Sequence, residues 1–187
     1  MKGVERKNGM TVTTNIALLI FRAVIGLTLA AHGAQKLFGW FGGPGPVGMS
    51  QLLRKQGYKP VWFWVSLAIV GELGGGLSFA LGFLTPLGAA GMFGAMVMAT
   101  RTHWKNGFFL PKGGYEYALT QTIASLTIGL TGPGGYALDT LFHIALPEVP
   151  LFGALAGAAL LVDLIGTIII ARNTRADVPP ESASKAS

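Results

Sequence analysis

The sequence predicts an all-α protein, a polytopic bundle of transmembrane helices, and three observations carry that prediction. The first is composition: of 187 residues, 51% are hydrophobic and 12% charged, and the mean hydropathy is +0.53. The charges gather at the ends of long apolar runs, where a soluble domain would scatter them. The second is the length of those runs. No charged residue stands between Leu73 and Thr100, or between Tyr117 and Leu138, and about 20 predominantly apolar residues suffice to cross a bilayer. The third is glycine. Its 28 copies would weaken soluble helices, but in lipid small residues let helix backbones approach closely. No β-type alternation competes.

Hydropathy and stop signals predict five spans, at 15–38, 61–84, 86–102, 116–131 and 151–171, the domain running from 15 to 171 between polar tails at 1–14 and 172–187. Pro86 stands where the third helix begins, a position at which its missing N–H costs little, so Thr85-Pro86 reads as a tight turn between the second and third spans. Gly132-Pro133-Gly134-Gly135 halts the fourth span, and Pro147 with Pro150 introduces the fifth, leaving a loop that holds Asp139 and His143. Between the first two spans, Met49, Leu52 and Leu53 beside Arg54, Lys55 and Lys59 fit either a short helix at the headgroup level or a basic loop. The segment 104–117 keeps Phe108, Phe109 and Leu110 among turn residues, as a lid or as an interfacial anchor would. The C-terminal tail, rich in Ser, Ala and Pro, is expected to be disordered. Arg22 interrupts what would be the core of a signal peptide, so the first segment is expected to stay as an uncleaved span.

The formal net charge is +6 and the pI about 9.8, but the basic residues flank spans and form no dense patch. Anionic headgroups explain them better than nucleic acid. Lys and Arg concentrate in the first and third interhelical loops and the C-terminal tail, which places the C-terminus in the cytoplasm if all five segments cross. The chain has no cysteine. That removes thiol–disulfide exchange, iron–sulfur clusters and cysteine-ligated metal or haem together, so redox chemistry must be supplied by a partner.

Candidate functional residues begin with Glu72, inside Gly71-Glu72-Leu73-Gly74-Gly75-Gly76 at the middle of the second span. A carboxylate near the bilayer centre is opposed by roughly 3 kcal/mol on insertion scales, so it is expected to face protein, a counter-charge or a water-filled cavity. On the first span Arg22, Gly26, Leu29, Gly33 and Lys36 fall on a stripe about 80° wide, with His32 at its edge. This face is expected to turn inward, bringing Arg22 or Lys36 to Glu72, either as a clamp that orders the bundle or as part of a site. If the helices alternate, His32, Gln35, Lys36, Arg101, His103 and Glu116 gather at one end. They would form a polar vestibule above the buried acid, suited to a quinone, a lipid headgroup, a proton relay or an anion, unless they only reach to headgroups. Haem ligation by His32 and His103 is disfavoured, because the two rings would have to face one cavity from opposite sides.

These residues carry a resemblance. Arg22, His32-Gly33-Ala34-Gln35-Lys36-Leu37-Phe38-Gly39, the glycine-flanked Glu72, His103-Trp104-Lys105-Asn106-Gly107-Phe108-Phe109 with Glu116-Tyr117, and Gly132-Pro133-Gly134 with Asp139 occur in an order and spacing that resemble the DoxX family. The resemblance implies a four-helix membrane core, to which the span at 151–171, with Asp163 inside it, is an addition. It also implies an association with quinone-linked redox complexes, since the family is named for a subunit associated with an archaeal thiosulfate:quinone oxidoreductase, and relatives are linked to complexes handling oxidative and thiol stress. The expectation is a multi-pass protein of the plasma membrane (the inner membrane of a cell with two) that binds a quinone or similar amphiphile and supports a soluble or membrane redox partner. In that reading Glu72 takes or gives the proton, and Arg22, His32, Gln35, Lys36, Arg101, His103 and Glu116 bind or tune. The rival readings are a non-enzymatic scaffold that recruits partners and a small proton-coupled carrier using Glu72 and Asp163.

Overall fold

The computed structural model describes residues 11–176, with side chains to 173. The expected tails fall mostly outside that range, and 12–14 and 172–176 are helical. Eight α-helices form the described chain: α1 Val12–Phe38, α2 Gly45–Lys55, α3 Val61–Ile69, α4 Gly75–Leu81, α5 Thr85–His103, α6 Glu116–Thr131, α7 Leu138–Leu141 and α8 Glu148–Ala176. Helices α3 and α4 are two halves of one long helix, joined by a π-helical turn at Val70–Gly74. All described regular structure is helical, as the sequence predicts, and the helices Val12–Phe38, Val61–Leu81 and Glu148–Asn173 are long and apolar enough to cross a membrane. Helices α5 and α6 are shorter and richer in polar and small residues, because α5 lies at the centre of the bundle. It packs on α4, the π-turn, α6 and α8.

The bundle is apolar outward and small or polar inward. On α1 the buried face is Arg22, Gly26, Leu29, Ala30, Gly33 and Ala34, the predicted stripe, while Ile16, Ile20, Val24 and Leu27 are exposed toward lipid. Close approach depends on missing side chains. A Cβ on Gly26 would meet the Gly76 carbonyl oxygen at 2.5 Å, and one on Gly33 would run into the backbone of Leu73. The same device joins α3 and the π-turn to α5, where Gly71 faces Gly91 and Ala95, and α5 to α8, where Gly94 faces Ala159.

Local signals close the helix ends. The Thr11 hydroxyl accepts from Thr14 N–H at the start of α1, and Gly39, with φ +72°, ends it. The basic segment after α1 is a helix, α2, with Met49 and Leu53 buried against Tyr58, Trp64 and Met98. Segment 104–115 folds on itself: Trp104 stacks on Tyr115 with ring centres 4.6 Å apart, and Phe109 and Leu110 point outward.

Candidate functional site

Two buried acids lie at opposite ends of the α1–α4 contact, and α1 supplies a cation to each. Arg22 and Lys36 share one face of α1 but are separated by about 21 Å in height, at 1.5 Å per residue. They cannot both reach one carboxylate. Lys36 Nζ forms the ion pair with Glu72 Oε1. Arg22 does not join them. It is fully buried at the other end, where its Nη2 donates to the Tyr136 carbonyl at 2.9 Å and its charge faces Asp139.

Glu72 sits in the π-turn and is only 3% exposed. A π-turn inserts an extra residue into the helical repeat and re-aims the side chains around it, a feature often found at functional sites. Here the glycines on either side let the turn press against α1 and α5 at once. Lys36 binds one carboxylate oxygen. The other, Oε2, is buried with no hydrogen-bond partner. The Tyr117 hydroxyl and the Gln121 side chain, one turn apart on α6, are buried against each other. Tyr117 is within electrostatic reach of Glu72, and its ring meets the His32 ring at 4.7 Å between centres. One unmatched carboxylate oxygen thus stands within electrostatic reach of a buried hydroxyl that has a proton to donate.

Access is set by the helices around them. Helix α1 packs along α4 and the π-turn but meets α6 at only a few positions, so the bundle has a thin seam there. His32 is exposed on that seam. A group entering from lipid between α1 and α6 would pass His32 before reaching Lys36, Glu72 and Tyr117.

The remaining candidates are placed elsewhere. Gln35 turns to its own loop, its Nε2 donating to the Phe41 carbonyl at 3.4 Å. Arg101 lies on another side of α5, where its Nη2 donates to the Tyr58 hydroxyl at 2.8 Å and its charge faces Asp163. His103 Nδ1 is 2.9 Å from the Gly113 carbonyl, inside segment 104–115, while the His32 ring meets Tyr117. Glu116 is half-buried at the start of α6, and its backbone N–H donates to the Phe108 carbonyl at 2.9 Å. Of the sequence candidates the structure brings together His32, Lys36 and Glu72, with Tyr117 in reach of both His32 and Glu72; Tyr117 and its neighbour Gln121 were not among those candidates. Their signal was present: Gln121, Thr122 and Ser125 are polar residues of an apolar span, and all three are buried inward.

The DoxX family model matches residues 17–104. Those residues are a DoxX domain. They run from Ala17 within α1 to Trp104 just after α5, hence include Arg22, His32, Lys36 and Glu72, and this is the family that the sequence resembles. The integral membrane character implied by the DoxX domain agrees with the long apolar helices. Tyr117, Gln121, Asp139 and the whole of α8 lie beyond the matched stretch. No curated protein and no solved structure matches the chain.

Proposed function

We propose that this DoxX-domain protein is a plasma-membrane subunit that holds the carbonyl or hydroxyl head of a quinone, or of an amphiphile with the same chemistry, between α1 and α6. In this reading its His32 end faces the cytoplasm, and Glu72 exchanges a proton in support of a redox partner. The observation that supports it is the half-satisfied ion pair: Glu72 Oε1 binds Lys36 while Oε2 is buried without a hydrogen-bond partner, and the buried Tyr117 hydroxyl lies within electrostatic reach of it. Buried polar atoms normally find partners, and a group that lacks one calls for a reason. Tyr117 can donate to a ligand carbonyl, while Glu72 Oε2 can accept from a ligand hydroxyl. Lys36 binds Oε1 and orients the carboxylate. A bound quinone supplies a couple that takes up two electrons and two protons on going to the quinol. Without cysteine in the chain, the electrons come from the partner.

Native mass spectrometry of the protein purified in mild detergent tests the reading. A quinone is expected to co-purify with the wild type and to fall at least several-fold in Tyr117→Phe. Glu72→Gln, which keeps size and hydrogen bonding but cannot exchange a proton at ordinary pH, is expected to accumulate normally and to abolish activity of the associated redox complex. Full activity of Glu72→Gln would refute the proton role. Loss of the variant itself would make the pair a clamp of the bundle, and a bound protein without any quinone would favour a scaffold.

A further inference from the structure

A third buried acid lies on a different side of the π-turn, in a part of the chain that the DoxX match does not reach. Asp163, near the middle of α8, is 7% exposed, and its Oδ2 has no hydrogen-bond partner. It lines a cavity of about 130 Å³ bounded by Ala68 and Gly71 before and within the π-turn, Gly91 and Ala95 on α5, and Ala159 on α8. Leu67 and Val70 form its rim and are exposed, so the cavity opens toward the lipid face. Apart from the carboxylate, the wall is apolar. Glycine keeps it open: Gly91 would place a Cβ no closer than 3.8 Å to its neighbours, and Gly71 leaves no side chain between α5 and the π-turn.

An acid in the middle of a membrane helix is opposed by roughly 3 kcal/mol, and its presence calls for a compensating contact. Arg101 supplies part of it from a distance, within electrostatic reach but bonded to Tyr58. Among the described residues no cation comes within ion-pair distance of Asp163. A free carboxylate oxygen at the wall of an apolar, lipid-open cavity is a place for a hydrogen-bond donor carried on a hydrocarbon chain. An apolar cavity of about this volume accommodates a benzene-sized group, so the head and first carbons of a chain would fit and the rest would lie along Leu67 and Val70. Asp163 and Arg101 already balance in charge. A neutral donor satisfies Oδ2 without adding a third charge to a low-dielectric wall, whereas an ammonium would leave one in excess. We propose that this cavity binds a neutral, chain-bearing hydroxyl amphiphile, its hydroxyl donating to Asp163 Oδ2 and its chain entering between α3 and α8 from the bilayer. The site is independent of the one at Glu72, since Gly71 faces α5 while Glu72 binds Lys36 on α1.

The test uses the full chain in phosphatidylcholine nanodiscs, photolabelled with a diazirine-bearing decanol and competed with decanol, decyl methyl ether or decylamine. The label is expected on peptides around Ala95 and Ala159, with decanol displacing it at least ~10-fold better than the ether, since a hydrogen bond to a charged group is worth about that much. Asp163→Ala should erase the difference between alcohol and ether, and Ala95→Leu should fill the cavity and remove the label. Removing a carboxylate from a membrane helix eases insertion, and Asp163→Asn, which keeps the shape, is the second variant should alanine pack poorly. Equal displacement by ether and alcohol overturns the proposal, as does better displacement by the amine. Labelling that Ala95→Leu leaves unchanged is partition into lipid only, and overturns it too.

Discussion

Asp139 and Glu72 are both buried carboxylates set against α1, yet their surroundings differ in kind. Asp139 is saturated. Its Oδ1 accepts from Leu84 N–H at 2.7 Å, and its Oδ2 accepts from Thr85 N–H at 2.9 Å and from the Thr85 hydroxyl at 2.7 Å. The carboxylate thereby caps the first turn of α5, where the helix dipole favours a negative charge. It also holds Leu84 at φ +49°, a left-handed conformation that a residue with a side chain rarely adopts. Arg22 stands beside it, and Gly82 leaves the space that the guanidinium occupies. Glu72 has one partner, Lys36, and an unmatched oxygen. A carboxylate with all its partners inside the protein builds structure, and one that keeps an oxygen free is available to a ligand or a proton.

The difference is sharpest in stability. Asp139→Ala removes three hydrogen bonds to a charged group and leaves Arg22 facing no acid, so a loss of about 3 kcal/mol or more is expected. Unfolding in mixed detergent micelles, followed by far-ultraviolet circular dichroism, would read it. A loss below about 1 kcal/mol would mean that the Asp139 end is no more structural than the Glu72 end.

Between the two ends lies the α1–α4 contact, and Gly33 probes it. A side chain there meets the Leu73 backbone, which a rotamer change cannot move aside. Gly33→Leu is therefore expected to cost about 2 kcal/mol, in the range of overpacked cores, and to disturb Lys36 and Glu72 more than Arg22 and Asp139. Amide hydrogen exchange would separate the two ends: faster exchange around Leu73 with α5's first turn unchanged fits, and equal effects at both ends would mean that they are coupled.

How much of this could be read from the chain follows from what periodicity reports. The inward stripe of α1 was legible because angle around a helix is fixed by sequence number, and the structure buries those residues except Lys36, which is half-buried. Height was equally fixed, and ignoring it left Arg22 and Lys36 as equal candidates for one acid. The helix bounds at Phe38, His103 and Thr131 follow from Gly39, the Trp104–Asn106 turn and Gly132. The π-turn was not legible, since no residue type marks it and the dihedrals at its two boundaries are ordinary helical ones. Nor was the capping of α5 by Asp139, a contact across 54 residues that depends on how the 132–147 segment folds back. Arg101 was placed at the correct end of α5, but its side is set by Tyr58, and no local pattern announces that pairing.

The smallest expected effect belongs to the ion pair itself. Lys36 keeps about a fifth of its side chain exposed, so its attraction for Glu72 is partly screened, and one Glu72 oxygen contributes no bond that could be lost. A double-mutant cycle of Lys36→Met and Glu72→Gln is therefore expected to give a coupling of about 1 kcal/mol, with Glu72→Gln alone costing less than Asp139→Ala. The cycle separates a clamp from a site. A coupling of about 3 kcal/mol or more would give the pair the same structural weight as the Asp139 end, and the free oxygen of Glu72 would then be tolerated strain in a clamp. A small coupling joined to a loss of ligand or of partner activity would show that the charges are kept for something other than holding α1 against α4.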